Sequence, residues 1–303
     1  AARGLADFER SAGDIDAARD YYKDILSHYP ENSRSGMELA GTYGEQGMTM
    51  AMLETLEETR LANRRAAGPY LSQLRYQLAL GEVEAGSLIV SGMTETQRVD
   101  LDALATMAAW EITRGRYDQA LVNLLRLTNE RPDVAHYHYL KAKTYALLGD
   151  RKRTLSGLAR TIELDSGHFF ATLATARLEL AEGDAEAFRR SLETLEAIAP
   201  NNLDVMKLSA VYADSRGDSA IAQALLEKVL HRHAVTENLV ALAGYLILED
   251  NLKSAESYLR VWLDERPDDV IAREKLAEVY MRQSRIKDAM AQYRIILKRI
   301  PAH

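Results

Sequence analysis

The amino-acid sequence predicts an all-α chain of about nine stacked helical hairpins, and three observations carry that prediction. Glycine recurs every 34 residues, at Gly13, Gly47, Gly81, Gly115, Gly149, Gly183 and Gly217; one residue is then lost, and Asp250 and Ser284 continue the step. Seven residues before each turn stands alanine (Ala6, Ala40, Ala108, Ala142, Ala176, Ala210, Ala243, Ala277), with Leu74 in the third unit instead. Five residues after each turn the series is Ala18, Met52, Gly86, Ala120, Thr154, Phe188, Ala222, Ala255 and Ala289. Small side chains at both places let helix backbones approach closely. Enlarging one in a packed core costs ~1–3 kcal/mol.

The stretch from Leu101 to Val134 shows the unit in full. Leu104, Met107, Ala108 and Ile112 fall at helical spacing and Gly115 ends the first helix. Ala120, Leu121, Leu124, Leu125 and Thr128 then form one stripe, and Pro132 forbids continuation. A hairpin of this kind cannot bury its apolar face alone. Pro30, Pro200, Pro267 and Pro301 close other units, while Arg64, Arg98, Ser166 and Ala234 hold that slot in the rest.

Taken in order, the first unit begins in mid-helix and its first helix ends near Ser11, followed by a second helix over 15–29 with Ala18, Tyr22, Ile25 and Leu26 on one face. In the second unit Met48, Met50 and Met52 are expected to fill gaps in the interface, with a protein-binding methionine patch as the alternative. The third unit is the weak link. Gly86, Ser91, Gly92 and Thr94 are poor helix formers, so its second helix should stop near Val90 and give way to a polar loop from Met93 to Arg98. The stretch 86–100 is the place for a bend, a seam between halves or a partner-specific irregularity, with plain repeat decay as the equal alternative. Units four to six are the most regular. Unit seven is one residue short around Ala234, and the last helix shows an apolar flank of Ile286, Met290, Tyr293, Ile296 and Leu297. Both chain ends therefore look cut from a longer protein, and 286–300 is a candidate for end-to-end contact.

This 34-residue helix–turn–helix period, with small residues at both crossings, resembles the tetratricopeptide repeat. The resemblance covers essentially the whole chain and implies a single α-solenoid over residues 1–303, wound as a right-handed superhelix with its first helices on the concave side.

Composition narrows the function. Hydrophobic residues make up 47 % of the 303 positions and proline only six of them, which fits a folded helical chain. Net charge is −7, with 45 acidic against 38 basic residues, and gives no reason to expect nucleic acid. The absence of cysteine removes disulfide and thiolate chemistry. The longest apolar run, Leu239 to Leu248, is about half of what a bilayer span requires.

The catalytic inventory is thin. No phosphate loop, Gly-x-Ser-x-Gly elbow or His-Glu-x-x-His pair is present. His136 and His138, like His231 and His233, stand two apart and would point to different helix faces, which is wrong for a metal. Glu57-Glu58 and Asp268-Asp269 read as solvated surface. Asp14, Asp150, Asp184 and Asp218 follow turn glycines, where each can cap the next helix at about 1 kcal/mol. No enzyme activity, cofactor or metal site is expected.

Carried over by position from the resemblance, residues ten and six before each turn face the groove. They gather Arg75, Lys143, Arg177 and Lys207 around Tyr139, Phe170 and Leu173, with His136 one turn further in, while Glu274 and Glu278 make the C-terminal end acidic. Either this is an ordinary solvated helix face, or it holds an extended acidic segment of a protein partner. The chaperone-binding branch of the family clamps a carboxylate with lysine and asparagine, and no asparagine occupies these positions.

The details from Asp165 through Phe169-Phe170 to Asp184 look like the long repeat proteins of bacterial exopolysaccharide synthesis and export, including the exosortase-linked lipoprotein type. That resemblance implies a non-enzymatic scaffold at the periplasm or outer membrane. A cytoplasmic adaptor or peptide-responsive regulator, with its effector domain elsewhere, is the alternative.

Overall fold

The computed structural model describes residues 2–299, apart from the side chains of Asp102 and Arg299. Among these there are nineteen helices and no strand. Ala1, Ile300 and the closing Pro301 lie outside the described residues. Contacts divide the chain into two compact units, Ala1–Ala171 and Thr172–His303. The region 86–100, one reading of which was a seam, lies inside the first of them.

The first unit opens with α1 (Ala2–Ala12), α2 (Ile15–His28), α3 (Ser33–Glu45) and α4 (Thr49–Ala62). It continues with α5 (Gly68–Leu80), α6 (Val83–Ser91), α7 (Glu95–Val99), α8 (Leu101–Thr113), α9 (Tyr117–Glu130), α10 (Ala135–Leu147) and α11 (Arg151–Leu164). Sequential pairs form hairpins, and first helices of successive hairpins also meet: α3 on α5, α5 on α8, and α8 on α10. The unit boundary falls near the start of α12 (Phe169–Glu182). The second unit then runs through α13 (Ala185–Ile198), α14 (Leu203–Ser215), α15 (Ser219–Arg232), α16 (Thr236–Leu248), α17 (Leu252–Glu265), α18 (Val270–Arg282) and α19 (Ile286–Arg299). Here α16 packs on α17 and α18, and α18 on α19.

The period is written into the backbone. All seven turn glycines have φ between +70° and +90°, and Asp250 and Ser284 adopt the same left-handed conformation at 55° and 60°. A residue with a Cβ is disfavoured there, which is why glycine dominates the position. The alanines seven before each turn are buried throughout, as is Leu74. Each unit is held by local clusters, for example Ala6, Ala18 and Tyr22 in the first, and Leu239, Leu246, Leu259 and Trp262 in the second.

Several expectations need correction. The polar loop after α6 is a short helix, α7, because Thr94 and Gln97 form a reciprocal capping box and Gln97 Nε2 donates to the Arg64 and Ala66 carbonyls. Met93 is buried beneath it. Met48 and Met50 are exposed and fill no interface; only Met52 is half-buried, beside Gly44. Asp14, Asp150 and Asp184 accept a bond from the third residue on, but Asp218 makes no side-chain cap. Glu57 is not simply solvated: it binds Arg60 and Gln73. Asp269 is also half-buried, capping α18 and accepting from Trp262 Nε1 at 2.8 Å and Thr236 Oγ1 at 2.6 Å. On α19, Ile286, Met290, Tyr293 and Leu297 are exposed as expected, whereas Ile296 turns into the core.

Candidate protein-binding site

The row of first helices in the first unit carries a surface depression of ≈ 530 Å³. Its lining includes Arg75 from α5, Ala105, Thr106 and Ala109 from α8, and His136 from α10. The two alanines stand one helical turn apart on the same face and, being short, leave the floor open. Arg75 is anchored at one wall, where its Nε donates to Thr106 Oγ1 at 3.0 Å.

Beyond His136 the depression runs onto an aromatic cluster. His136 and Tyr139 share a face of α10, their ring centroids 6.2 Å apart. His168, in the loop after α11, stacks on His136 at 6.2 Å and lies 4.9 Å from Tyr139. Phe170 then stacks on Tyr139 at 6.1 Å, with Phe169 edge-on to it. Phe170 keeps 59 % of its surface exposed, a large apolar area left open to a partner. His168 Nδ1 accepts from the Ala171 amide at 3.3 Å. Burial pushes the His136 pKa down, and the neighbouring His168 adds to the shift. Its partner in sequence, His138, points the other way: it is buried, with Nε2 2.9 Å from the Pro132 carbonyl.

The structure thus brings together Arg75, His136, Tyr139 and Phe170, with Lys143 exposed one turn along α10 from Tyr139. The second unit departs from expectation. Leu173 is only 5 % exposed and lines no surface. Leu71, at the equivalent position of the third repeat, is buried too. Ten residues before the turn is a boundary position: a leucine folds into the adjacent core, whereas Tyr139, Lys207 and Glu274 stay half-exposed. Arg177 is exposed but its charge is matched by Asp204 at 2.8 Å, and Lys207 is half-buried. Sequence reasoning missed His168 altogether. The signal was the replacement of a closing proline by Ser166-Gly167, which frees the loop to present a side chain. Among the described residues no group of three or more His, Asp or Glu could hold a metal ion. Nor is any helix long and apolar enough to cross a membrane.

Sequence profiles of the tetratricopeptide repeat match residues 4–32 and 248–303. The chain carries tetratricopeptide repeats in these two stretches. In three dimensions it is similar to the Cut9–Hcn1 hetero-tetramer of the APC/C, with a TM-score of 0.64 and 15 % identity over 96 % of this chain and 57 % of that one. It is also similar to the human IFIT1 dimer with m7Gppp-AAAA, with a TM-score of 0.59 and 15 % identity over 96 % of this chain and 69 % of that one. At such identities the likeness shows the fold alone. No curated protein matches the chain. Tetratricopeptide repeats are typically protein-interaction modules, which supports an interaction role for this chain.

Proposed function

We propose that this scaffold, itself without catalytic activity, holds an extended, carboxylate-bearing segment of a partner against Arg75, His136, Tyr139, Lys143 and Phe170. The supporting observation is the continuity of the depression at Arg75 with the stacked rings beyond His136. Exposed ion pairs contribute only ~0.2–1 kcal/mol each, so the cations set orientation and the rings must supply most of the affinity. Net charge of −7 argues against nucleic acid in the same place.

The partner belongs, in this reading, to a bacterial cell-envelope assembly that makes or exports exopolysaccharide, with the scaffold in the periplasm or at the outer membrane. What supports this is the likeness of residues 165–184 to that group of repeat proteins. The test is capture of the partner from an envelope extract, followed by titration. Tyr139→Ala should weaken binding about tenfold, the loss of one buried aromatic anchor, and Lys143→Glu a few-fold. Unchanged affinity in both variants removes this surface from consideration. A DNA-binding or catalytic domain encoded in the same reading frame would contradict the envelope assignment.

A further inference from the structure

The irregular third repeat leaves a second surface, on the second helices rather than the first. Helix α6 has 9 residues where α4 and α9 have 14, because Ser91-Gly92 stops it early. Chain that would have extended α6 turns away instead into α7, which packs on α8. An apolar groove between α4 and α6 is left uncovered. It consists of two depressions of ≈ 580 and ≈ 180 Å³ that share Glu57, Gln73, Leu88 and Ile89 in their walls. Leu88 is 75 % exposed. Scattered exposed leucines are ordinary, but one in the wall of a groove this size is a candidate contact.

Charge says what covers it. The larger depression is lined by three carboxylates, Glu54, Glu57 and Glu58, and by no cation. Glu57 is satisfied internally: Arg60 donates to it, and this hydrogen bond is the main reason its pKa is lowered. Arg60, the one cation of the smaller depression, is held by that pair and over the Tyr70 ring at 5.2 Å. Glu54 and Glu58 remain exposed at i and i+4 on one helix face, a like-charge spacing that works against the isolated helix. An apolar floor under an acidic rim fits an occupant with an apolar stripe flanked by Lys or Arg.

We propose that the groove between α4 and α6 docks a cationic amphipathic helix of a protein partner, independently of the surface at Tyr139. The test uses the full chain and two fluorescein-labelled synthetic 18-residue helices, each with a leucine stripe, one flanked by lysine and the other by glutamate. Fluorescence anisotropy should show the lysine peptide binding with an affinity that falls as salt rises, and the glutamate peptide not binding. Leu88→Asp and the double variant Glu54→Lys/Glu58→Lys should each weaken the lysine peptide about tenfold or more. Leu88 is exposed, so circular dichroism of that variant should match wild type. Tyr139→Ala should leave the peptide's affinity unchanged, which separates this groove from the other surface. Absence of binding overturns the proposal. So does equal weakening by Asp118→Lys on α9, which would mean that the peptide reads only overall acidity. Concentration-dependent dimerisation abolished by Leu88→Asp would overturn it in favour of a second copy of this chain.

Discussion

At Gly86 the missing side chain makes room for an indole. An added Cβ would overlap the six-membered ring of Trp110, which is buried against α6. Gly86→Ala should therefore destabilise the first unit by ~1–3 kcal/mol, read as a lower melting temperature with a shift in tryptophan emission. The turn residues invert this logic. Ser284 sits at φ 60° without glycine's freedom, so Ser284→Gly should stabilise the chain by up to about 1 kcal/mol in denaturant titration. Asp269 has a pH signature. Burial raises its pKa, but donors from Ala272, Thr236 and Trp262 outweigh burial and hold it below the usual value. A depressed folded pKa stabilises the protein above the unfolded value of about 3.9 and loses that contribution as pH falls through the folded value. The stability gap between wild type and Asp269→Asn should accordingly be full at pH 7 and shrink below about pH 4. At this scale the sequence was informative where a side chain's size mattered, as for the alanine series. It was uninformative at boundary positions such as Leu173, where the side chain itself decides which way it turns.

At the scale of the element, α7 is the test of what holds an irregular segment in place. Its five residues are too few for a helix to persist by propensity, so the capping box and the Gln97 bonds to the Arg64 and Ala66 carbonyls must fix it. Thr94→Ala should cost ~0.5–2 kcal/mol and speed amide exchange through 95–99, while exchange in α9 stays unchanged. The helix ends elsewhere were readable because the left-handed turn recurs at a fixed step and each turn admits few residues. Helix α7 was misread because Gly92 and Thr94 were weighed as poor helix formers, when Thr94-x-x-Gln97 is itself a helix start. The caps at Asp14, Asp150 and Asp184 were readable for the same local reason. His168 was not, since the contact that matters links separate repeats through space.

For the molecule as a whole, stacking neighbours supply the cooperativity, so stability is a sum of repeat and interface contributions. Denaturation followed by hydrogen exchange should be regional: Leu259→Ala, in the core of the second unit, should loosen α16 to α18 while protection in α2 and α3 persists. A single sharp loss of protection across the chain would contradict this. The corners of these hairpins are open: a Cβ added at Gly47, Gly115 or Gly217 would touch nothing within 4 Å. An epitope or fluorescent reporter grafted just beside one of these corners has empty space to grow into, so each corner is a labelling port that displaces no packed side chain.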